Sequence, residues 1–186
     1  QRGLAAYAAH PLLRAVAVDR THYAPVDAAT FAGWAAQTPA GFRFVVKAHE
    51  VLGIARFPKH PRYGRLAGEP NPRFLDAAYA ADAVVGPYVE GLGDKGWSLL
   101  FHLAPQHEDG LGGPERFSER LFRFLDALPR GPRYAVEPRT PALLCRSYAD
   151  ALVANGAIHS WLVWTGMPGV AEQMRRVPGG ARFGLL

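Results

Sequence analysis

The strongest constraint in this sequence is its rhythm. Short apolar runs alternate with amphipathic stretches along the chain, the pattern of a parallel sheet built from βα units. Strands are expected at Ala15–Asp19, Phe42–Lys47, Trp97–Leu103, Arg133–Glu137, Ile158–Val163 and Ala181–Leu186. Helices are expected near Leu4–Ala9, Ala28–Gln37, Pro72–Val89, Pro114–Leu128, Pro141–Asn155 and Pro168–Val177. Punctuation supports those limits: Asn71, Gly113 and Thr140 each precede a proline, which suits a first helical position, and Gly156 follows Asn155 as a stop. The pattern predicts a doubly wound sheet or most of a (β/α)8 TIM-type barrel. A complete barrel runs to about 250 residues, so this chain would be short by about two strands. With no repeat, low-complexity tract or linker, residues 1–186 read as one domain.

Counting along each strand separates its two faces. One face collects Val16, Val18, Phe44, Val46, Leu99, Phe101, Tyr134 and Val136, an apolar set suited to covering helices. The other collects Asp19, Lys47, His102, Glu137 and, counting on from Ile158, His159. Most of these stand near carboxyl ends of strands, where parallel α/β folds bind ligands. A single polar residue at a strand end is an ordinary rim group. Several on matching faces form a candidate site, because buried charges need partners or a function.

Composition narrows the partners. Hydrophobic residues make up 49% and charged residues 20%, an ordinary globular balance. No apolar run approaches the roughly 18 to 20 residues of a membrane span, and the first residues carry no leader pattern. The one cysteine, Cys145, excludes a disulfide framework and fits a reducing cytoplasm. Twenty-one Lys and Arg face 16 Asp and Glu, a net charge of +5. That excess admits phosphate esters or nucleic acid as partners. The Gly91–Gly96 stretch is a literal GxGxxG, but it precedes a strand, whereas a dinucleotide fingerprint follows one.

Five segments carry a resemblance. AVAVDRTHYAP (Ala15–Pro25), TPAGFRFVVKAHE (Thr38–Glu50), LLFHLAP (Leu99–Pro105), YAVEPR (Tyr134–Arg139) and GAIHSW (Gly156–Trp161) together resemble the YecE-like family, domain of unknown function 72 (DUF72). The match in order and spacing runs from Ala15 to Gln173. The resemblance implies a (β/α)8-type barrel, with a strand before the first helix and a chain continuing past Leu186. It implies recurring polar positions at Asp19, Thr21, Tyr23, Lys47, His49, His102, Glu137, Arg139 and His159. Two positions depart from the family pattern: Ala17 stands where glutamate is usual, and His102 where glutamine is usual. No established reaction comes with the family.

The expected site therefore has Lys47, Glu137 and His159 as catalytic residues. Asp19, Thr21, Tyr23, His49, His102 and Arg139 would bind the ligand. His49, His102, His159 and Glu137 would also make a His/Glu set for a divalent metal such as zinc or manganese. Without metal, Lys47 and Glu137 suit acid–base or Schiff-base work, and a Lys47–Glu137–Arg139 ion network holding the mouth fits the same residues. Between Lys47 and the helix expected at Pro72 lie about 24 residues, against the usual two to six. That loop carries Arg56, Lys59, Arg62 and Arg65, so Arg62 and Arg65 join the ligand-binding set; a merely solvated insertion is its other reading. The reading of best fit is a cytoplasmic barrel protein that binds a phosphorylated or otherwise anionic ligand as a hydrolase or lyase. A repair-related nucleic-acid-binding module and a catalytically inactive homologue are the alternatives. Open apolar edges at Ala15–Asp19 and Ala181–Leu186 would make the chain prone to aggregation.

Overall fold

The apolar runs become strands largely where their patterning places them. The computed structural model describes residues 3–106 and 108–179. Five strands lie side by side in chain order: β1 (Ala15–Val18), β2 (Arg43–Lys47), β3 (Gly96–Leu103), β4 (Tyr134–Pro138) and β5 (Ile158–His159). Every neighbouring pair is parallel. Helix α1 (Gly3–Ala8) precedes β1, and α2 (Arg20–Tyr23) and α3 (Ala28–Ala35) follow it. Helices α4 (Ala77–Ala80) and α5 (Gly86–Leu92) follow β2, α6 (Pro114–Asp126) follows β3, α7 (Arg146–Ala154) follows β4 and α8 (Val170–Arg176) follows β5.

Parallel strands in consecutive order are how a barrel wall is built. Among the described residues β1 and β5 are not paired, so the architecture here is α/β with a five-stranded parallel sheet. The strand expected at Ala181–Leu186 lies outside the described residues. Among them, no helix is long and apolar enough to cross a membrane.

The core sits between the sheet and its helices. Phe44, Val46, Leu99, Phe101, Leu103 and Val136 project from one face and are essentially inaccessible to water. They meet Phe31, Tyr88, Phe117, Leu121, Phe124, Tyr148 and Leu152 from the helices. Each such large side chain contributes roughly 1.5–3 kcal/mol by leaving water. The opposite, inner face has a small apolar floor of Leu100, Ala135 and Ile158. Those three stand near one another because Leu100 pairs with Ala135 and Ala135 with Ile158 in the ladder.

That register corrects one expectation. The fifth strand is two residues long rather than six, and it presents Ile158, not His159, to the inner face. His159 pairs with Val136 and points among the helices. A second correction concerns the helix expected from Pro72. Asn71 does not cap it. Its amide nitrogen donates to the carbonyls of Val51 and Ile54, both at 2.7 Å, and braces the long loop from inside. The helix begins at Ala77, capped by Asp76, whose side chain accepts the Tyr79 N–H at 3.0 Å. It then passes through a π turn (Ala81–Val85) next to Pro87, whose missing N–H disrupts regular pairing there.

Candidate functional site

The site begins where β1 ends. After Val18 the chain turns into the single helical turn of α2, which is tied across to the end of β2. The Thr21 hydroxyl, buried, donates to the Lys47 carbonyl at 2.7 Å. One residue on, the His22 Nδ1–H donates to the Ala48 carbonyl at 3.3 Å. Asp19 completes the clamp, with Oδ1 2.7 Å from Lys47 Nζ. These contacts follow from the register, which pairs Val18 with Val46 and so brings Asp19 beside Lys47.

His102 occupies the middle, on β3. It pairs with Glu137 in the ladder, and its Nε2 lies 3.8 Å from Glu137 Oε1. That nitrogen is buried and has no hydrogen-bond partner among the described residues. Glu137, 8% exposed, accepts both Nε–H and Nη2–H of Arg139 on Oε1, at 3.1 and 2.9 Å. The His22 and His102 rings meet edge to face with centroids 5.1 Å apart. Burial, reinforced by Arg139, His22 and Lys47, pushes the His102 imidazole down to about 3, so it is neutral at physiological pH. Burial lowers His22 and His49 as well, against the opposing pull of Glu50 on both.

The long loop closes the third side. Its first turn lies so close to β3 that a Cβ on Gly53 would overlap the His102 carbonyl oxygen, so only glycine fits there. Gln106 pins the same segment, accepting the Ala55 N–H at 2.5 Å and donating to the Gly53 carbonyl at 3.1 Å. From this base Glu50 reaches back, with Oε2 2.5 Å from Arg62 and 3.9 Å from His22 Nε2. Arg62 also bonds to the Tyr63 hydroxyl.

Of the residues expected at the site, Asp19, Thr21, Lys47, His102, Glu137 and Arg139 come together. Tyr23 stands at the rim, 65% exposed, edge to face with His22. His49 turns aside to the Tyr79 hydroxyl at 2.7 Å. Arg62 is spent on Glu50, and Arg65 is exposed on the 3-10 turn Pro61–Leu66. His159 lies on the other side of the sheet, where its Nδ1 accepts the Tyr148 hydroxyl at 2.9 Å and its Nε2–H donates to Gln173 at 3.3 Å. The expected set of His49, His102, His159 and Glu137 therefore does not converge. Among the described residues no group of three or more His, Cys, Asp or Glu is placed to hold a metal ion.

Counting strand parity missed His22 and Glu50, which lie beyond the strands in helical turns. The available signal was spacing: His22 is three residues after Asp19, and Glu50 three after Lys47, the separation that returns a side chain to the same side of a turn.

Chemically, the arrangement sets three cations against three carboxylates around two neutral imidazoles. Lys47 faces Asp19, Arg139 faces Glu137, and Arg62 faces Glu50. The pairs differ in how readily they exchange. Asp19 is 66% exposed at its side chain, so a solvated pair of this kind contributes about 0–1 kcal/mol and a competing anion can replace it. Glu137 is buried, and breaking its pair would leave an uncompensated charge inside the protein.

Comparison with known proteins adds a family and a fold. The family model described as "Protein of unknown function DUF72" matches residues 1–181. No curated protein matches the chain. Two crystal structures of a DUF72 family protein from Enterococcus faecalis V583 are similar to it, each at 16% identity and a TM-score of 0.54. The aligned region covers 86% of this chain and 58% of the one, and 85% and 52% for the other. At that identity the likeness is one of fold, and this chain spans little more than half of those proteins' length.

Proposed function

This chain belongs to the DUF72 family of proteins of unknown function, and from that premise we propose that the cluster at the carboxyl ends of β1 to β4 binds a small phosphorylated or otherwise anionic molecule. The protein then acts on it in the cytoplasm as a hydrolase or lyase. One observation carries this reading: a buried imidazole nitrogen on His102, without a partner among the described residues, sits 3.8 Å from Glu137 and within the field of Lys47 and Arg139. An unsatisfied buried polar atom costs roughly 1–3 kcal/mol. A ligand that hydrogen-bonds to it recovers that cost, and two cations nearby favour a ligand that is negative.

Roles follow from what each group has free. Lys47 has two N–H donors beyond Asp19, and Arg139 has three of its five beyond Glu137, so these two hold the anion. Both Arg139 bonds fall on Glu137 Oε1, which leaves Oε2 uncommitted among the described residues to take or return a proton. His102, neutral, supplies a hydrogen bond without bringing charge. His159 takes no part, because both its ring nitrogens are already engaged. The test is calorimetric titration of inorganic phosphate and a phosphate monoester at low salt. Lys47→Met and Glu137→Gln should both lose binding while still unfolding cooperatively, Lys47→Met near the parent midpoint and Glu137→Gln at a lower one because Arg139 loses its partner; retained binding in both variants would sink the reading.

A nucleic-acid partner is favoured by one separate observation. Arg56, Lys59 and Arg65 are all exposed along the loop that follows the carboxyl end of β2. Binding of that kind weakens steeply with salt, whereas a small ligand held by two cations does so gently.

A further inference from the structure

We propose that the ligand carries a flat aromatic ring beside its anionic group, and that Trp164 is the platform on which the ring stacks. This rests on the anion-binding reading above and extends it to the rest of the molecule.

Trp164 follows β5 and stands next to Arg139, whose guanidinium carbon lies 5.6 Å from the centre of the indole. The anion-holding arginine and the aromatic surface therefore adjoin. The indole is also held in place. The chain turns back at Trp164, with the Met167 N–H donating to the Trp164 carbonyl at 2.9 Å, and the six-membered ring lies against Gly166. A Cβ at Gly166 would overlap that ring. One edge of the indole thus rests against backbone, and Arg139 lies over one of its faces.

The loop that carries it is fixed at both ends by one side chain. Gln173 on α8, fully buried, accepts the Leu162 N–H at 3.2 Å and donates to the carbonyls of Leu162 and Pro168, both at 2.7 Å. Trp164 nevertheless remains 39% exposed. It borders a cavity of about 450 Å³ walled by Leu162, Val163, Met167 and Pro168, within the usual range for a small-molecule site. A braced indole that faces an apolar cavity on one side and a guanidinium on another fits a planar ring with a negative substituent. A nucleoside monophosphate has that chemistry.

Three probes decide the matter, each titrated into the whole protein by calorimetry: inorganic phosphate, ribose 5-phosphate and adenosine 5′-monophosphate. Stacking on an aromatic side chain is expected to make the nucleotide bind about 5- to 150-fold more tightly than ribose 5-phosphate. Trp164→Ala should bring the two to the same Kd, Trp164→Phe should keep most of the difference, and Gly166→Ala, which displaces the indole without removing it, should shrink it. Near-ultraviolet circular dichroism checks that each variant keeps its packing. Equal Kd values for nucleotide and sugar phosphate in the parent protein, or a preference that survives Trp164→Ala, would overturn the stacking platform and leave the anion site standing. If none of the three probes binds, the anion reading falls and this inference with it.

Discussion

Two histidines on opposite faces of the same sheet show how differently its two sides are built. His159, on the helix side, has a partner for each ring nitrogen and is 1% exposed. His102, on the inner side, is also largely buried, yet its Nε2 has no hydrogen-bond partner among the described residues. Among the described residues the Tyr88 hydroxyl, in the helix-side core, and the Ser98 hydroxyl are also buried without partners, so what sets His102 apart is that its orphan nitrogen stands beside Glu137 and in the field of Lys47 and Arg139. Burial alone does not distinguish the two residues. Saturation does.

Acid should produce the largest effect. Burial pushes His159 down to about 4 and His102 to about 3, whereas both return to about 6.5 in the unfolded chain. Between those values the unfolded chain holds protons that the folded one refuses. Stability is therefore level above pH 6.5 and falls as pH drops through 6 toward 3, by up to about 1.4 kcal/mol per pH unit for each histidine. Urea unfolding across that range checks it, and a flat profile would show that neither imidazole is held neutral.

Substitution should then separate the pair at pH 7. His159→Leu strands the buried Tyr148 hydroxyl and removes one of the two donors to Gln173 Oε1, and is expected to cost roughly 2–4 kcal/mol, with phosphate binding unchanged. His102→Gln gives up an edge contact with His22 but no hydrogen bond among the described residues, so it should leave stability within about 0.5 kcal/mol and flatten the acid limb. Should the two variants be equally destabilised, the contrast between the faces fails.

Lys47→Met is expected to weaken phosphate binding at least tenfold, while stability falls by less than about 1 kcal/mol because its partner Asp19 is solvated. The smallest effects belong to the loop. Arg62→Ala and Arg65→Ala should each weaken anion binding by roughly 1 kcal/mol or less, and only at low salt. Unchanged affinity at low salt would remove both from the site.

How far the sequence disclosed this depended on element length. In β2 and β3, alternation over five and eight residues was long enough to assign faces, and Lys47 and His102 lie on the face that counting gave them. Two residues of β5 offer no periodicity, so the face of His159 was decided by the pairing of Ala135 with Ile158, which no local pattern reveals. Asn71–Pro72 read as a helix start because that dipeptide has the right chemistry; the asparagine amide was instead committed to carbonyls about 20 residues earlier in the chain. The distant partners of a polar side chain are a tertiary fact, and the convergence of His22, Glu50 and Arg62 was hidden for the same reason.

The long connection after β2 has roots and a tip of unlike character. Gly53, Asn71 and Gln106 anchor its two ends by contacts that tolerate almost no exchange of residue. Between them the Pro61–Leu66 turn has no buried residue and answers mainly to solvent. A segment built this way can be recut without renegotiating the sheet beneath it. A designer can therefore transplant a foreign turn between the same anchors and leave the strands as they are.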